Sequence, residues 1–152
     1  MNTDYFVAVR DRAMTLVEWG PGGTELPKLL MKWVEPGILG SQLWGIIEDL
    51  PASEKDVLPI DFDRYYAVGE VLKVSDGEEG SFGLVQIADG FVRALATLPD
   101  ERIAPVAERW ATSEEWLGPW EPHGLDSTVE GLRDLARCVH GPDQRMYVWW
   151  SM

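Results

Sequence analysis

The spacing of hydrophobic residues in the first part of the chain predicts a strand, a helix and a second strand. The run from Tyr5 to Arg10 is rich in aromatic and β-branched residues, as is typical of a short strand. From Asp11 the apolar residues recur at helical spacing, and the glycine-rich segment 20–23 predicts the end of that helix. The apolar residues from Leu29 to Val34 predict the second strand.

A long helical pattern begins at Pro36. Proline suits the first position of a helix because its missing N–H costs nothing there, and an apolar stripe then continues to Leu50. Pro51 ends the predicted helix. The polar stretch from Ala52 to Asp63 predicts a surface loop.

The middle of the chain predicts a β-hairpin followed by a helix. Two β-type runs, Val68 to Val74 and Phe82 to Ala88, are separated by an acidic, glycine-containing segment that predicts a turn. Asp89 is expected to cap the next helix, and Pro99 is expected to end it.

The last third predicts further helices and a final strand. One helix is expected over about Ile103 to Trp110, with Pro105 in its first turn. The segments Thr112 to Glu115 and Ser127 to Glu130 match the capping-box pattern, so each predicts a helix start. The aromatic and β-branched run from Arg145 to Ser151 predicts the last strand.

This order of elements predicts one α+β domain over residues 1–152, with a mostly antiparallel or mixed sheet and helices packed on one face. We expect the last strand to lie inside the sheet, because an exposed edge of that composition would promote aggregation. Trp149 and Trp150 are consecutive on this strand, so they are expected to point to opposite faces.

Composition and length narrow the class of protein. A chain of 152 residues with 45% hydrophobic and 26% charged residues can form a core without disulfides or metal. The N-terminus lacks a signal-peptide pattern, and no apolar stretch approaches the ~18 residues that a membrane span needs. Cys138 is the only cysteine, which excludes an internal disulfide framework. The sequence therefore predicts a cytoplasmic protein.

The net charge bears on possible partners. The 26 acidic and 13 basic residues give −13 at pH 7, which disfavours binding to nucleic acid or to an anionic membrane. A basic protein surface is the partner that this sign favours. The alternative is that the acidity only keeps a small protein soluble.

The residues that could carry catalysis do not form a recognisable set. Cys138 and His140 are two positions apart and do not face each other on a helix. His123 and His140 are the only histidines, and their spacing is not that of metal ligands. Asp61 and Asp63 alternate as on a strand and could pair, although such pairs in an acidic protein are usually solvated. We therefore predict no catalytic residues, no metal and no cofactor, and the sequence leans against an enzyme.

Eight tryptophans are many for a domain of this size, and the densest mixture of acids and indoles lies between Glu108 and Trp116. Acids beside aromatic rings, at a join between helices, are typical of a pocket wall for a polar or cationic ligand. The alternative is that the acids cap a helix while the indoles pack in the core. The predicted ligand-binding residues are Trp110, Glu114, Glu115, Trp116 and Tyr147.

Three segments carry a resemblance to a known group: Glu35 to Ile47, Val106 to Trp116, and Arg145 to Trp149. In order and rough spacing they resemble small, uncharacterised bacterial proteins, largely actinobacterial, that are loosely similar to the YfbM-like domain-of-unknown-function group. The resemblance implies an α+β bacterial cytosolic protein with no established activity, in which Trp110, Glu114 and Glu115 belong to the part that matters for function.

Two hypotheses for function follow. The first is a non-enzymatic binding or protein-interaction module that engages a partner through an acidic, tryptophan-rich surface. The second is a small-ligand-binding or weakly hydrolytic protein with a pocket near the segment Trp110 to Trp116. The sequence leaves the ligand, the partner and the oligomeric state open.

Overall fold

The computed structural model describes residues 1–32, 34–51, 58–77, 80–116 and 121–152. The strands are β1 (Asn2–Val9), β2 (Lys28–Lys32), β3 (Tyr66–Gly77), β4 (Gly80–Ile87) and β5 (Gln144–Ser151). The helices are α1 (Arg10–Met14), α2 (Pro36–Ile47), α3 (Phe62–Tyr65), α4 (Asp89–Ala96), α5 (Asp100–Trp110) and α6 (Asp126–Ala136).

The five strands form one sheet in the order β2-β1-β5-β4-β3, and every neighbouring pair is antiparallel. Val148 on the central strand β5 is opposite Tyr5 on one side and Val85 on the other. The predicted α+β class and the predicted interior position of the last strand are both confirmed. The first and last strands are neighbours, so the sheet brings the two ends of the chain together.

One face of the sheet carries the main core. Alternate residues of the strands, among them Tyr5, Val7, Val85 and Val148, pack against the four long helices α2, α4, α5 and α6. These helices bury their apolar stripes, so the predicted packing of helices on one face is confirmed for these four, while the short helix α1 lies on the other face. Among the helices of the described residues, none combines the length and the apolar composition needed to cross a membrane.

The other face is covered by α1 and the turns that follow it. Phe6, Leu84, Tyr147 and Trp149 pack there in a second, smaller core. The chain segment that covers them contributes buried apolar residues, which are Ala13, Leu16 and Val17. Trp149 lies in this second core while Trp150 packs against the first, so the predicted opposite orientation of the two indoles is confirmed.

Two helices differ at their N-termini from the sequence prediction. The helix α5 starts at Asp100, which puts Pro105 in its interior rather than in its first turn. The acids Asp100 and Glu101 favour that earlier start, because carboxylates are stabilised near the positive end of a helix. Asp89 lies in the first turn of α4 and Ala88 is its N-cap.

Of the two helix starts predicted from capping boxes, the one at Ser127 is found within one residue and the one at Thr112 is wrong, and neither hydroxyl caps a helix N-terminus. Residues 112–115 form turns, and the hydroxyl of Thr112 donates to the carbonyl of Arg109 at 2.7 Å, so it satisfies the end of α5 instead. The helix α6 starts at Asp126 with Leu125 as N-cap, which leaves Ser127 inside the first turn.

The predicted loop and hairpin turn lie partly outside the described residues, which omit 52–57 and 78–79. At the end of that loop, Asp61 caps the short helix α3, where its carboxylate accepts from the amide of Arg64 at 2.8 Å. Asp61 and Asp63 therefore lie on a helical turn and not on a strand.

Candidate functional site

The indoles of the predicted site lie in the core. Trp110 is 1% exposed, and its Nε1 donates to the carbonyl of Leu39 on α2 at 2.9 Å. Trp116 packs edge-on against Trp110, with ring centroids 4.8 Å apart, and its Nε1 donates to the Trp110 carbonyl at 3.0 Å. Both indole N–H groups thus have backbone acceptors, which is the usual condition for burying a tryptophan.

The other members of the predicted site lie elsewhere. Glu114 and Glu115 are exposed, and Glu115 accepts from the amide nitrogen of Gln42 at 3.0 Å. Tyr147 belongs to the second core, on the opposite face of the sheet from the two indoles. The structure therefore brings Trp110 and Trp116 together, but it does not bring them to a surface shared with Tyr147.

The remaining tryptophans have different environments. Trp44 is buried and stacks on Phe91, and Trp149 is buried with its Nε1 donating to the carbonyl of Val17 at 2.8 Å. Trp19 is 83% exposed. Trp33 and Trp120 lie outside the described residues. The tryptophan-rich surface expected from the sequence is thus reduced, within the described chain, to Trp19 and the half-buried Trp150.

A cavity of about 540 Å³ opens at one end of the sheet, where β1 ends and β5 begins. Its size is within the range usual for small-ligand sites, about 300–1,000 Å³. Val9 and Pro142 are the apolar residues of its lining. The polar residues of the lining are Arg10, Asp11, Gln86, Asp143, Arg145 and Tyr147. We call this cavity the arginine pocket.

Strand pairing explains why these residues meet. Val9, the last residue of β1, is opposite Gln144 at the start of β5, so Arg10 lies next to the beginning of the last strand. Gln86 on β4 is opposite Tyr147. Arg145 and Tyr147 are two positions apart on β5 and therefore point to the same face of the sheet. The pocket is thus built from three adjacent strands and the first turn of α1.

Tyr147 is the buried polar group of the pocket. The residue is fully buried and its ring stacks on Phe6, yet its hydroxyl has no hydrogen-bond partner among the described residues. Burial raises the pKa of Tyr147, and the positive charges of Arg10 and Arg145 oppose that rise. At neutral pH the group therefore remains a hydroxyl, a hydrogen-bond donor without an acceptor among the described residues.

Arg145 is held in a fixed orientation. Its Nη1 donates to the carbonyls of Pro142 at 2.6 Å and Gln144 at 2.8 Å, and its Nε lies 3.6 Å from a carboxylate oxygen of Asp89. Within the described part of the chain, these contacts use Nη1 and Nε and leave Nη2 for another acceptor. Arg10 contributes a second positive charge near the Tyr147 hydroxyl.

The other residues considered for catalysis or metal binding do not form a cluster. The thiol of Cys138 donates to the carbonyl of Asp134 at 3.3 Å. His123 and Asp126 form an exposed pair with 3.0 Å between Nδ1 and Oδ2. Among the described residues, no three His, Cys, Asp or Glu side chains lie close enough together to hold a metal ion.

Sequence reasoning missed the arginine pocket, apart from Tyr147. One local signal was present, because the alternation of the last strand puts Arg145 on the same face as Tyr147. The position of Arg10 depends on the pairing of β1 with β5, which joins residues from opposite ends of the chain. Local patterns do not contain that pairing.

Comparison with known proteins gives no functional assignment. No protein-family model, no curated protein and no solved structure matches this chain. The resemblance to the YfbM-like group therefore stays a prediction, and the functional argument depends on the geometry of the arginine pocket.

Proposed function

We propose that this protein is a non-enzymatic binding module and that the arginine pocket binds a small ligand through an anionic group. The observation that carries the proposal is the buried Tyr147 hydroxyl, which has no acceptor among the described residues and lies near two guanidinium groups. A buried donor without an acceptor costs about 1–3 kcal/mol, and a bound oxyanion would remove that cost.

The electrostatics of the pocket support an anionic group. The chain carries a net charge of −13, which would repel an anion from most of its surface. Arg10 and Arg145 supply positive charge beside Tyr147, and Arg145 shares its charge with Asp89, whose carboxylate oxygen lies 3.6 Å from its Nε. Hydrogen bonds from a guanidinium to a carboxylate or phosphate oxygen are stronger than neutral ones, so such a group would be held at this end of the sheet.

The chemistry of the lining favours binding over turnover. The raised pKa of Tyr147 keeps its hydroxyl protonated at neutral pH, which suits a hydrogen-bond donor and not a nucleophile or a base. Arg145 is also a donor, and its contacts with Pro142 and Gln144 restrict its movement. We also propose, from the sequence, that the protein is cytoplasmic and of bacterial origin.

Titration with simple anions tests the proposal. Acetate, succinate and inorganic phosphate are added to the full chain at millimolar concentration, and binding is followed by calorimetry or by amide chemical shifts. We expect at least one of them to bind, and Arg145→Gln to weaken it about tenfold, the loss of one charge-assisted contact.

Arg12→Gln is the matched control, because Arg12 is an arginine of α1 outside the pocket lining, 3.8 Å from Glu25. It should leave the affinity unchanged. If the two variants weaken binding equally, the effect is one of net charge, and the arginine pocket is not the site.

A second candidate function is contact with a basic protein. Trp19, 83% exposed beside Glu18, offers an indole within an acidic environment, and the net charge favours a positively charged partner. Affinity purification at low salt should then recover a stoichiometric partner that Trp19→Ala no longer retains. Recovery that is independent of Trp19, or no stoichiometric partner at all, would contradict it.

A further inference from the structure

The charges that line the arginine pocket have both signs. Arg10 and Arg145 are accompanied in the lining by Asp11 and Asp143. A purely anionic ligand would be attracted by the two guanidinium groups and repelled by the two carboxylates. The lining as a whole therefore matches a ligand that carries a positive and a negative charge together.

These charges come from two segments of the chain. The first turn of α1 contributes the consecutive pair Arg10 and Asp11, and the start of β5 contributes Arg145, with Asp143 just before the strand. Each segment thus has one cation and one carboxylate. A compact ligand with both charges is complementary to both kinds of group, whereas a lone anion is complementary only to the cations.

The buried Tyr147 hydroxyl indicates which end of the ligand is anionic. Tyr147 is fully buried while Asp11 and Asp143 are exposed, so a ligand group that accepts a hydrogen bond from Tyr147 would lie on the sheet side and the opposite end of the ligand would lie on the solvent side, where the carboxylates are. The negative group of the ligand therefore enters first, and its positive group remains near the rim.

We infer that the ligand is a small zwitterion of the amino acid class, an inference that rests on the proposed function. Its carboxylate would accept from Tyr147 and Arg145, and its ammonium group would lie beside Asp11 and Asp143. A cavity of about 540 Å³ holds a free amino acid or a dipeptide. Gln86, which can donate and accept, completes the polar lining.

Matched ligand pairs test this inference. The twenty common L-amino acids are titrated singly into the full chain, and each one that binds is compared with the acid that lacks its amino group and with the amine that lacks its carboxylate. We expect an amino acid to bind at least about tenfold more tightly than either analogue, since each analogue loses one ionic contact.

Two substitutions test the binding of the ligand's two charged groups separately. Asp143→Asn should weaken binding of the amino acid and leave binding of the des-amino acid unchanged or improved. Tyr147→Phe should weaken both, because it removes the donor for the carboxylate. Asp63→Asn, at an exposed carboxylate on α3 outside the pocket lining, is the matched control and should alter neither.

The outcomes distinguish the inference from the proposed function. If the des-amino acid binds as tightly as the amino acid, or if Asp11→Asn and Asp143→Asn leave the ratio of the two affinities unchanged, the zwitterion inference is overturned and anion binding stands. If neither the amino acids nor acetate, succinate and phosphate bind, both are overturned. Circular dichroism of each variant verifies that the fold is retained.

Discussion

The indole of Trp149 lies so close to Gly20 that a β-carbon would not fit between them. A methyl group built on Gly20 would come within 2.7 Å of the Trp149 ring. Gly20 also has a φ of +68°, which is strained for any residue with a side chain. This contact fixes the segment after α1 onto the second core, next to the strand that carries Tyr147.

Gly20→Ala should therefore destabilise the fold by about 2–4 kcal/mol, the sum of a left-handed backbone and an overpacked contact. Two controls separate these causes. Gly141 has a φ of +73° and nothing within 4 Å of an added β-carbon, so Gly141→Ala should show only the backbone part. Gly22→Ala, in open space without a positive φ, should change stability by less than about 0.5 kcal/mol. Urea unfolding of the three variants gives the comparison, and similar values for all three would contradict it.

Asp4 gives a prediction about pH. This residue of β1 is 8% exposed, and burial raises the pKa of its carboxyl group, although the amide of Met31 and the charge of Lys28 oppose that rise. A raised pKa means that the folded state holds the proton more tightly than the unfolded state. The ionised group therefore costs stability above the folded pKa, and the cost disappears below the unfolded pKa of about 3.8.

Asp4→Asn should accordingly increase the free energy of unfolding at pH 7, because the amide cannot ionise. The gain should disappear below about pH 3.8, where the wild-type carboxyl is protonated in both states. Urea titrations of both proteins at two pH values provide the measurement. A variant that is less stable than the wild type at pH 7 would mean that the ionised carboxylate stabilises the fold.

Trp110 tests whether the indole cluster is structural. Trp110→Phe keeps an aromatic ring but removes the N–H that donates a hydrogen bond to the carbonyl of Leu39. We expect a loss of about 1–3 kcal/mol, from the lost indole hydrogen bond and the missing ring volume. Trp19→Phe, at an exposed indole, should cost less than about 0.5 kcal/mol. Equal losses for the two variants would contradict the assignment of Trp110 to the core.

Much of the fold is contained in local patterns. The composition of the last strand predicts its interior position, and Pro36 with its apolar stripe predicts α2, because both signals depend on neighbouring residues. The capping box at Thr112 failed for a local reason as well, since its hydroxyl is used by the carbonyl of Arg109. A capping box needs the threonine oxygen to accept from an amide that follows it, whereas the Thr112 side chain is turned back to donate to the preceding helix.

The site is much harder to predict than the fold. Sequence reasoning favoured Trp110 and Trp116 because indoles and acids are common in pockets, but their N–H groups bond to backbone carbonyls and their rings fill the core. The arginine pocket forms only when β1 pairs with β5 and brings Arg10 to Tyr147. Long-range pairing therefore decides which polar residues converge, and local periodicity does not contain it.

Tyr147→Phe tests the central claim most directly, because it removes one oxygen atom from a ring that otherwise stays packed on Phe6. If the hydroxyl is kept for a ligand, its removal should leave the free energy of unfolding unchanged or raise it, by at most the about 1–3 kcal/mol that an unsatisfied buried donor costs, since no partner within the described chain is lost. The same variant should weaken binding of the amino acid or anion about tenfold or more. Stability from urea unfolding and affinity from calorimetry are measured on the same preparation. A variant that is destabilised by more than about 1 kcal/mol while its affinity is unchanged would contradict the account, because the hydroxyl would then serve the fold and not a ligand.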